Sequence, residues 1–353
     1  MMDQRQKFSP TGLKVEFVGE AQTDEDCVKA ILGGNVQLVY ISPESLINNP
    51  CFRNMLLSST YKSNLCALVI DEAHCVKTWG DQFRVAFAKI GDMRSLIPSR
   101  VNMLALTATV TNKAYGIVCN RLSMTNPVLI AKSPCKKNIY FKVLPEIKCE
   151  ELSEDLSDAI KNESENYPKT VIFVPNYRHC FQLYFNIRSK LGKYLTNPPG
   201  YPHVSDFLVV DMYTRVCTEA KKETLITQFS STSSKLRVLI ATTAFGMGID
   251  IPDIRQVIHW GIPSSEEQYV QETGRAGRDG GDAEAIMYNS KCRKYVSKHM
   301  VEYADNTSLC RRTFLFKDFI HYSESDKDGI DDCKCCDICA KYCLCNTCSL
   351  LLS

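Results

Sequence analysis

The chain has 353 residues, which is enough for two or three domains of ordinary size. Hydrophobic residues make up 44% of the chain and charged residues 23%, which excludes an intrinsically disordered protein. The net charge of +2 excludes binding of nucleic acid through overall charge, so any such surface must be a local patch. No apolar run approaches the roughly 18 residues of a membrane span, and the polar start lacks the apolar core of a signal peptide. The sequence therefore predicts an intracellular protein with no membrane partner.

Short apolar runs separated by helix-compatible stretches predict parallel β-strands, and this pattern occurs twice along the chain. In the first part of the chain, the predicted strands are 36–41, 65–70 and 101–111. After a connector at 126–143, they resume at 170–175, 206–213, 235–250 and 254–263. The predicted fold class is α/β, with two tandem parallel-sheet lobes whose functional loops lie at the carboxyl ends of the strands.

Two adjacent acids, Asp71 and Glu72, follow the second predicted strand in the sequence VIDEAH. In phosphoryl-transfer sites, one carboxylate at a strand end holds Mg²⁺ and a second orients or deprotonates the attacking water. The same two acids would also suit a helix N-terminus, where they interact favourably with the helix dipole and need no catalytic role. The tetrapeptide DEAH alone leaves both interpretations open.

Two further motifs carry groups suited to binding a nucleotide. The segment LTATVT places Thr107 and Thr109 just beyond a predicted strand, where their hydroxyls are well placed to hydrogen-bond across a cleft. The segment QETGRAGRDG carries Arg275 and Arg278, which share one face if the segment is helical. Guanidinium groups suit phosphate oxygens whose charge grows in a transition state. The alternative for this segment is a glycine-rich turn with solvated arginines.

The chain has 18 cysteines, and eight of them lie between residues 310 and 348. In a reducing compartment, such a cluster indicates metal binding before it indicates disulfides. The cysteines follow a basic segment at 291–317, whose apolar residues fall at helical spacing. This segment is interpreted either as a solvated helix face or as part of a DNA-binding surface.

The motifs VIDEAH, LTATVT, ATTAFGMGID and QETGRAGRDG, in this order, resemble those of the superfamily 2 helicases. The stretch DEAHCVKTWGDQFR and the sequence GRAGRDG resemble, more narrowly, the RecQ family of DNA helicases. The resemblance covers practically the whole chain and implies two RecA-like lobes, the first incomplete, followed by a small helical zinc-binding subdomain. The implied boundaries are a partial first lobe at 1–130, a second lobe at 131–290, the zinc-binding subdomain at 291–345 and a tail at 346–353.

The resemblance also implies a function, with its cofactors and residues. It implies an ATP-dependent 3′-to-5′ DNA helicase that acts in DNA repair and recombination, uses ATP, Mg²⁺ and Zn²⁺, and binds single-stranded or forked DNA in the nucleus. The residues implied in catalysis are Asp71, Glu72, Gln271, Arg275 and Arg278. The residues implied in nucleotide binding are His74, Thr107, Thr109, Gly248 and Asp250. The residues implied in DNA binding are Ser42, Pro43, Glu44, Trp79, Phe83, Arg84 and Thr242.

The cysteine spacing resembles that of the zinc subdomain of the same family. The implied zinc ligands are Cys310, Cys333, Cys336 and Cys339, with Cys335 as a competing ligand. Four thiolates around a tetrahedral Zn²⁺ at about 2.3 Å account for the tight spacing.

One family motif has no counterpart among the 353 residues. No segment reads G-x-x-x-x-G-K-[ST], the loop whose backbone holds the β- and γ-phosphates. We therefore expect the chain to begin just inside the first lobe and to be inactive in ATP hydrolysis as given. The alternative is a catalytically inactive DNA-binding or interaction protein that retains the helicase fold. An RNA helicase of the DEAH type is disfavoured by the aromatic-rich loop, the GRAGRDG sequence and the cysteines.

Overall fold

The computed structural model describes residues 8, 11–19, 24–78, 86, 89–245 and 250–343. The chain divides into two compact units, Met1–Ala131 and Lys132–Ser353. Within the described residues, no helix combines the length and the apolar character that crossing a membrane requires.

Two pairs of parallel strands form the β-structure of the first unit. They are β1 (Val15–Val18) with β2 (Leu38–Ile41), and β3 (Ala67–Ile70) with β4 (Asn102–Ala105). The helices are α1 (Glu25–Leu32), α2 (Pro43–Asn48), α3 (Pro50–Leu57), α4 (Ser59–Asn64), α5 (Cys75–Thr78) and α6 (Asn112–Arg121), with a 3₁₀ helix at Ile90–Leu96. Their apolar faces meet in one core that includes Ile31, Phe52 and Val76.

Side-chain caps determine where several helices of the first unit begin. Asp24 Oδ1 accepts from the amide of Asp26 at 2.9 Å before α1, and Thr111 Oγ1 accepts from the amide of Ala114 at 3.2 Å before α6. Such caps satisfy amides that have no partner within the first helical turn. The strand predicted at 101–111 is therefore shorter than expected, since β4 ends at Ala105 and the polar residues that follow lead into the cap of α6.

The second unit contains one parallel sheet of six strands. The strands are β5 (Ile139–Leu144), β6 (Thr170–Phe173), β7 (Val210–Tyr213), β8 (Val238–Ala241), β9 (Gln256–Trp260) and β10 (Ala283–Tyr288). Their order across the sheet is β5-β10-β9-β6-β8-β7. The longer helices are α7 (Cys149–Glu163), α8 (Tyr177–Leu191), α9 (Glu219–Ser230) and α10 (Glu266–Thr273). The prediction of an α/β fold with parallel sheets is confirmed.

Each face of this sheet buries a separate core. Val171 and Phe173 of β6 belong to one core, and Ile172 between them belongs to the other. Successive strand residues point to opposite faces of the sheet. When helices cover both faces, all residues of a strand are buried, and its sequence is a continuous apolar run. This explains why the central strands are recognisable in the sequence.

Two strands of the second unit do not appear in the sequence prediction. The segment 126–143, predicted as a connector, contains most of β5, and β10 was not predicted. β5 lies at the edge of the sheet and carries Lys142, and β10 carries the exposed Glu284. Because each strand includes a polar residue, neither forms the continuous apolar run that marks the central strands.

The C-terminal segment is helical and packs on the second unit. Its helices are α11 (Lys298–Asp305), α12 (Arg311–Phe316), α13 (Asp332–Cys335) and α14 (Asp337–Ala340). Phe316 contacts Phe141 of β5 edge to face, with ring centroids 6.0 Å apart, and both belong to the same core. The cysteine-rich segment thus shares the core of the six-stranded sheet.

Candidate active site and cysteine cluster

The two predicted catalytic acids follow the carboxyl end of β3. The amide of Leu106 donates to the carbonyl of Ile70 at 2.9 Å, and the amide of Ala73 donates to the carbonyl of Leu106 at 2.8 Å, which ties this turn to the end of β4. Asp71 is exposed, and its Oδ1 accepts from the amide of Glu72 at 2.9 Å. Glu72 has a φ of 50°, a left-handed conformation that is uncommon outside glycine and clusters at functional sites.

His74 joins the acidic turn to the threonine motif after β4. Its Nδ1 lies 3.3 Å from Glu72 Oε2 and 3.1 Å from Thr107 Oγ1. Thr107 Oγ1 donates to the carbonyl of Thr109 at 3.1 Å, so its only hydroxyl proton is engaged there. His74 Nδ1 thus lies within hydrogen-bonding distance of an acceptor in each of the two motifs. The structure brings together Glu72, His74 and Thr107, three residues that the sequence analysis selected from two separate motifs.

The arginines of the QETGRAGRDG motif do not share one helical face. α10 ends at Thr273, so Arg275 and Arg278 lie in the turn that follows it. Arg275 is buried, whereas Arg278 is partly exposed and its NH1 donates to Asp250 Oδ1 at 2.6 Å. The expectation of a shared face is wrong, because Gly277 adopts a φ of 55° and turns the chain between the two arginines.

Two residues before β5 hold this arginine turn in place. Lys136 Nζ donates to the carbonyl of Gly274 at 2.7 Å. Asn138 Nδ2 donates to the carbonyls of Gly277 at 2.9 Å and Gly281 at 2.7 Å. A Cβ at Gly277 would collide with the amide of Asn138, so glycine is required for this contact as well as for the turn. The sequence analysis missed Lys136 and Asn138, whose segment it interpreted as a connector.

A buried polar pair orients α10, the helix that carries Gln271. His259 Nε2 on β9 lies 2.8 Å from Glu272 Oε2, and both side chains are buried. Gln268 Nε2 donates to the other carboxylate oxygen of Glu272 at 3.1 Å. The His259 ring stacks on Phe173, with centroids 5.3 Å apart. This contact fixes the rotation of α10 against the sheet, and the sequence analysis did not identify it.

The remaining described candidates lie at the ends of strands and helices. Thr242 follows β8, and its Oγ1 accepts from the amide of Ala244 at 3.4 Å. Ser42 Oγ caps α2 by accepting from the amide of Ser45 at 3.1 Å. Pro43 and Glu44 then form the first turn of α2. Trp79, Phe83, Arg84 and Gly248 lie outside the described residues, so their assigned roles stay predictions.

Four cysteine sulfurs of the C-terminal segment converge. The Sγ atoms of Cys310, Cys335, Cys336 and Cys339 all lie within 4.8 Å of one another. Four thiolates at about 2.3 Å from a tetrahedral Zn²⁺ stand roughly 3.8 Å apart, so this group fits a zinc ion. Hydrogen bonds from Cys335 and Cys336 lower the pKa of the Cys310 thiol, and the hydrogen bond with Cys310 raises the pKa of the Cys335 thiol.

The cluster differs from the predicted ligand set at one position. Cys335, named as the competing ligand, is buried within the group, whereas Cys333 is outside it. The difference arises because the helical turn α13 ends at Cys335 and Cys336 is extended, with φ −166° and ψ 167°. This change of backbone brings two consecutive sulfurs to the same side. Of the surplus cysteines, Cys343 is buried, and Cys345 and Cys348 lie outside the described residues.

The two arginines after Cys310 are buried, so these two residues do not belong to the solvated or DNA-binding basic face interpreted at 291–317. Arg311 donates to both carboxylate oxygens of Asp337, at 2.7 and 3.1 Å. Arg312 is fully buried and donates to the carbonyl of Lys136 at 2.6 Å and that of Lys137 at 3.1 Å. Arg312 therefore links the cysteine-containing segment to the residues that precede β5, and Arg311 links α12 to α14. The lysines and Arg293 of this stretch keep partly or largely exposed positive charges.

Comparisons with known proteins agree with these motifs. Residues 1–116 match the DEAD/DEAH box helicase model, and residues 151–280 match the helicase conserved C-terminal domain. The RecQ-like DNA helicase blm-1 of Caenorhabditis elegans is 28% identical over 95% of this chain. The ATP-dependent helicase SGS1 of Saccharomyces cerevisiae is 28% identical over 96%, and the ATP-dependent DNA helicase Q1 of Rattus norvegicus is 27% identical over 97%. The chain therefore carries both helicase domains and is similar over most of its length to RecQ-like helicases.

The chain spans only part of each of these RecQ-like relatives. It covers 35% of blm-1, 23% of SGS1 and 54% of the rat helicase Q1. Among solved structures, the helicase MrfA bound to DNA and AMPPNP has a TM-score of 0.62 and 14% identity, over 86% of this chain and 42% of that chain. The Mycobacterium smegmatis helicase Lhr bound to ssDNA and AMP-PNP has a TM-score of 0.59 and 17% identity, over 86% and 39%. These likenesses confirm the predicted RecA-like, parallel-sheet fold.

Proposed function

We propose that this RecQ-like chain carries most of the motor of an ATP-dependent DNA helicase of 3′-to-5′ polarity. The observation that supports this proposal best is the contact of His74 with both Glu72 and Thr107. An ordinary acidic helix start needs no such link, whereas a motor must couple the group that activates water to the rest of its fold. Similarity to the RecQ-like helicases supports a nuclear role in DNA repair and recombination.

The acids and arginines have distinct proposed roles in ATP hydrolysis. When bound, ATP and Mg²⁺ supply the phosphoryl group and neutralise part of its charge. Asp71, exposed at the end of β3, would hold the ion, and Glu72 would orient and deprotonate the attacking water. We assign Gln271, Arg275 and Arg278 to the γ-phosphate, whose charge guanidinium groups stabilise. Asp250 holds Arg278 at 2.6 Å, and a phosphate would compete for that guanidinium.

A second candidate is a DNA-binding protein with this fold that hydrolyses nothing. It is favoured by one observation, the lack of a G-x-x-x-x-G-K-[ST] sequence among the 353 residues. That loop is the segment whose backbone amides cradle the β- and γ-phosphates in nucleotide hydrolases of this kind. Both candidates bind single-stranded or forked DNA, so DNA binding tests what they share and ATP hydrolysis separates them.

The proposed DNA surface comprises Ser42 to Glu44, the loop with Trp79, Phe83 and Arg84, and Thr242. We expect Trp79→Ala to weaken binding of single-stranded DNA while the dependence of affinity on salt stays nearly unchanged. The reason is that stacking of a base on an aromatic ring contributes roughly 1–3 kcal/mol and releases no counterion. The measurement is fluorescence anisotropy of a labelled oligonucleotide across a salt series.

The matched control for Trp79→Ala is an exposed cation. If Lys294 neutralises a phosphate, Lys294→Ala should reduce the slope of log affinity against log salt concentration by about 1. The loss of affinity should depend little on DNA sequence. Arg311 is unsuitable as a control, since its guanidinium is buried against Asp337. Equal affinity for single-stranded and duplex DNA, together with unchanged affinity in a folded Trp79→Ala variant, would contradict the assignment of this loop.

A further inference from the structure

Three aromatic side chains form an exposed stripe along α8 in the second unit. Tyr177, Phe181 and Phe185 are 45%, 49% and 59% exposed. Their four-residue spacing places them on one helix face. The ring centroids of Tyr177 and Phe181 are 6.5 Å apart, and those of Phe181 and Phe185 are 6.2 Å apart with nearly parallel planes. Contiguous exposed aromatic surface of this kind marks an interaction site, and the proposed hydrolysis does not use it.

The face of α8 that carries this aromatic stripe is basic. Arg178 and Arg188 are exposed and fall on the same side of the helix by its 3.6-residue period. Arg188 NH2 lies 3.4 Å from His203 Nδ1, which extends the polar edge of the stripe. Lys190 points to another side and pairs with Glu154 of α7 at 3.2 Å. The sequence of α8, YRHCFQLYFNIRSKL, contains no acid. An occupant of this face should therefore be anionic and offer flat apolar surfaces.

The aromatic stripe begins at the same edge of the six-stranded sheet as the proposed DNA contact Thr242. Tyr177 is the first residue of α8, which Asn176 caps after the end of β6. β6 and β8 are hydrogen-bonded neighbours, with Phe173 opposite Ala241. Tyr177 and the proposed DNA contact Thr242 thus follow the carboxyl ends of adjacent parallel strands. Continuity with Thr242 favours nucleic acid over a protein partner.

We propose that Tyr177, Phe181 and Phe185, flanked by Arg178 and Arg188, bind single-stranded DNA by stacking on its bases. The inference rests on the proposed DNA-binding function and extends the DNA path along α8. From Tyr177 to Phe185 the helix rises about 12 Å, at 1.5 Å per residue. The rings provide stacking faces that tolerate any base, and the arginines provide charge for the phosphates.

Paired substitutions in the full 353-residue chain distinguish stacking from general apolar contact. Phe181→Leu with Phe185→Leu keeps the apolar bulk and the helix but removes the aromatic faces. This variant should bind a labelled oligothymidylate at least about tenfold more weakly, as expected for two lost stacking contacts. Phe181→Tyr with Phe185→Tyr keeps the aromatic faces and should bind like the wild type. Both variants should keep the wild-type melting temperature, because the rings are exposed.

The outcomes separate this inference from the proposed function. Wild-type chain that does not bind the oligothymidylate overturns both. Wild-type binding with an unchanged leucine variant overturns only the proposed role of the aromatic stripe. Equal weakening of the leucine and tyrosine variants does the same. If the variants fail to fold, photo-crosslinking of the wild-type chain to 5-iodouracil-substituted DNA tests whether the aromatic stripe contacts DNA. Crosslinks at Tyr177, Phe181 or Phe185 support the stripe, and crosslinks confined to other segments refute it.

Discussion

The Cys336→Ser variant is expected to lose its metal and, with it, the packing of the C-terminal segment on the second unit. Cys336 is fully buried, and its Sγ accepts from the amides of Arg311 and Cys339, each at 3.4 Å. The binding free energy of a structural zinc ion is folding free energy, so removal of one ligand should unfold the segment that the ion holds. Wild-type chain should carry about one Zn²⁺, measured by elemental analysis, and limited proteolysis should cleave the variant beyond residue 290.

The matched control for Cys336→Ser is Cys292→Ser, which changes an exposed cysteine outside the four-sulfur cluster. This control should keep both the zinc and the resistance to proteolysis. Serine variants of Cys333 and Cys335 then distinguish the predicted ligand set from the set that the structure brings together. Wild-type protein that is well folded and contains no zinc would contradict the metal site.

Replacement of Arg312 with methionine should destabilise the second unit by about 3 to 5 kcal/mol. The Arg312 guanidinium is fully buried and donates to the carbonyls of Lys136, Lys137 and Ile139. Methionine preserves much of the apolar volume but leaves these buried acceptors without a donor. Lysine at this position should also destabilise, because a single ammonium cannot reproduce the planar fork of a guanidinium. The measurement is the free energy of unfolding in urea.

Lys298→Ala is the control for Arg312→Met, since the Lys298 side chain is 91% exposed and lies 3.6 Å from Glu302. An exposed pair of this kind changes the free energy of unfolding by about 1 kcal/mol or less. If Arg312→Met changes the free energy of unfolding as little as Lys298→Ala does, Arg312 does not anchor the cysteine-containing segment.

The parts of the site that could be predicted from sequence are those set by local structure. Asp71, Glu72 and Thr107 each follow a short apolar strand, and the carboxyl ends of parallel strands meet at one edge of a sheet. Ser42 caps the helix that starts beside it, which is also a local contact. Such features depend on a few consecutive residues, so a single sequence contains enough information to find them.

The parts that were missed depend on contacts between residues distant in the chain. Lys136 and Gly274 are 138 residues apart, and Arg312 and Lys136 are 176 apart. The sequence alone does not distinguish a solvated basic residue from one that is buried by residues distant in the chain. The burial of Arg311 and Arg312 therefore could not be inferred from charge or helical spacing. The choice between Cys333 and Cys335 depends on one change of backbone conformation at Cys336, which ligand spacing does not specify.

The central claim is our proposal that Glu72 activates the attacking water in a helicase ATP site, and that hydrolysis also requires the phosphate-binding loop that the 353 residues lack. The most direct measurement compares DNA-stimulated ATP hydrolysis by the 353-residue chain with that of the same chain joined to the G-x-x-x-x-G-K-[ST] segment of a RecQ-like relative. We predict background hydrolysis for the chain alone, and DNA-stimulated turnover for the joined protein that falls by about 10²-fold or more on Glu72→Gln. Robust turnover by the chain alone that Glu72→Gln abolishes, or a folded joined protein with no turnover, would contradict the claim.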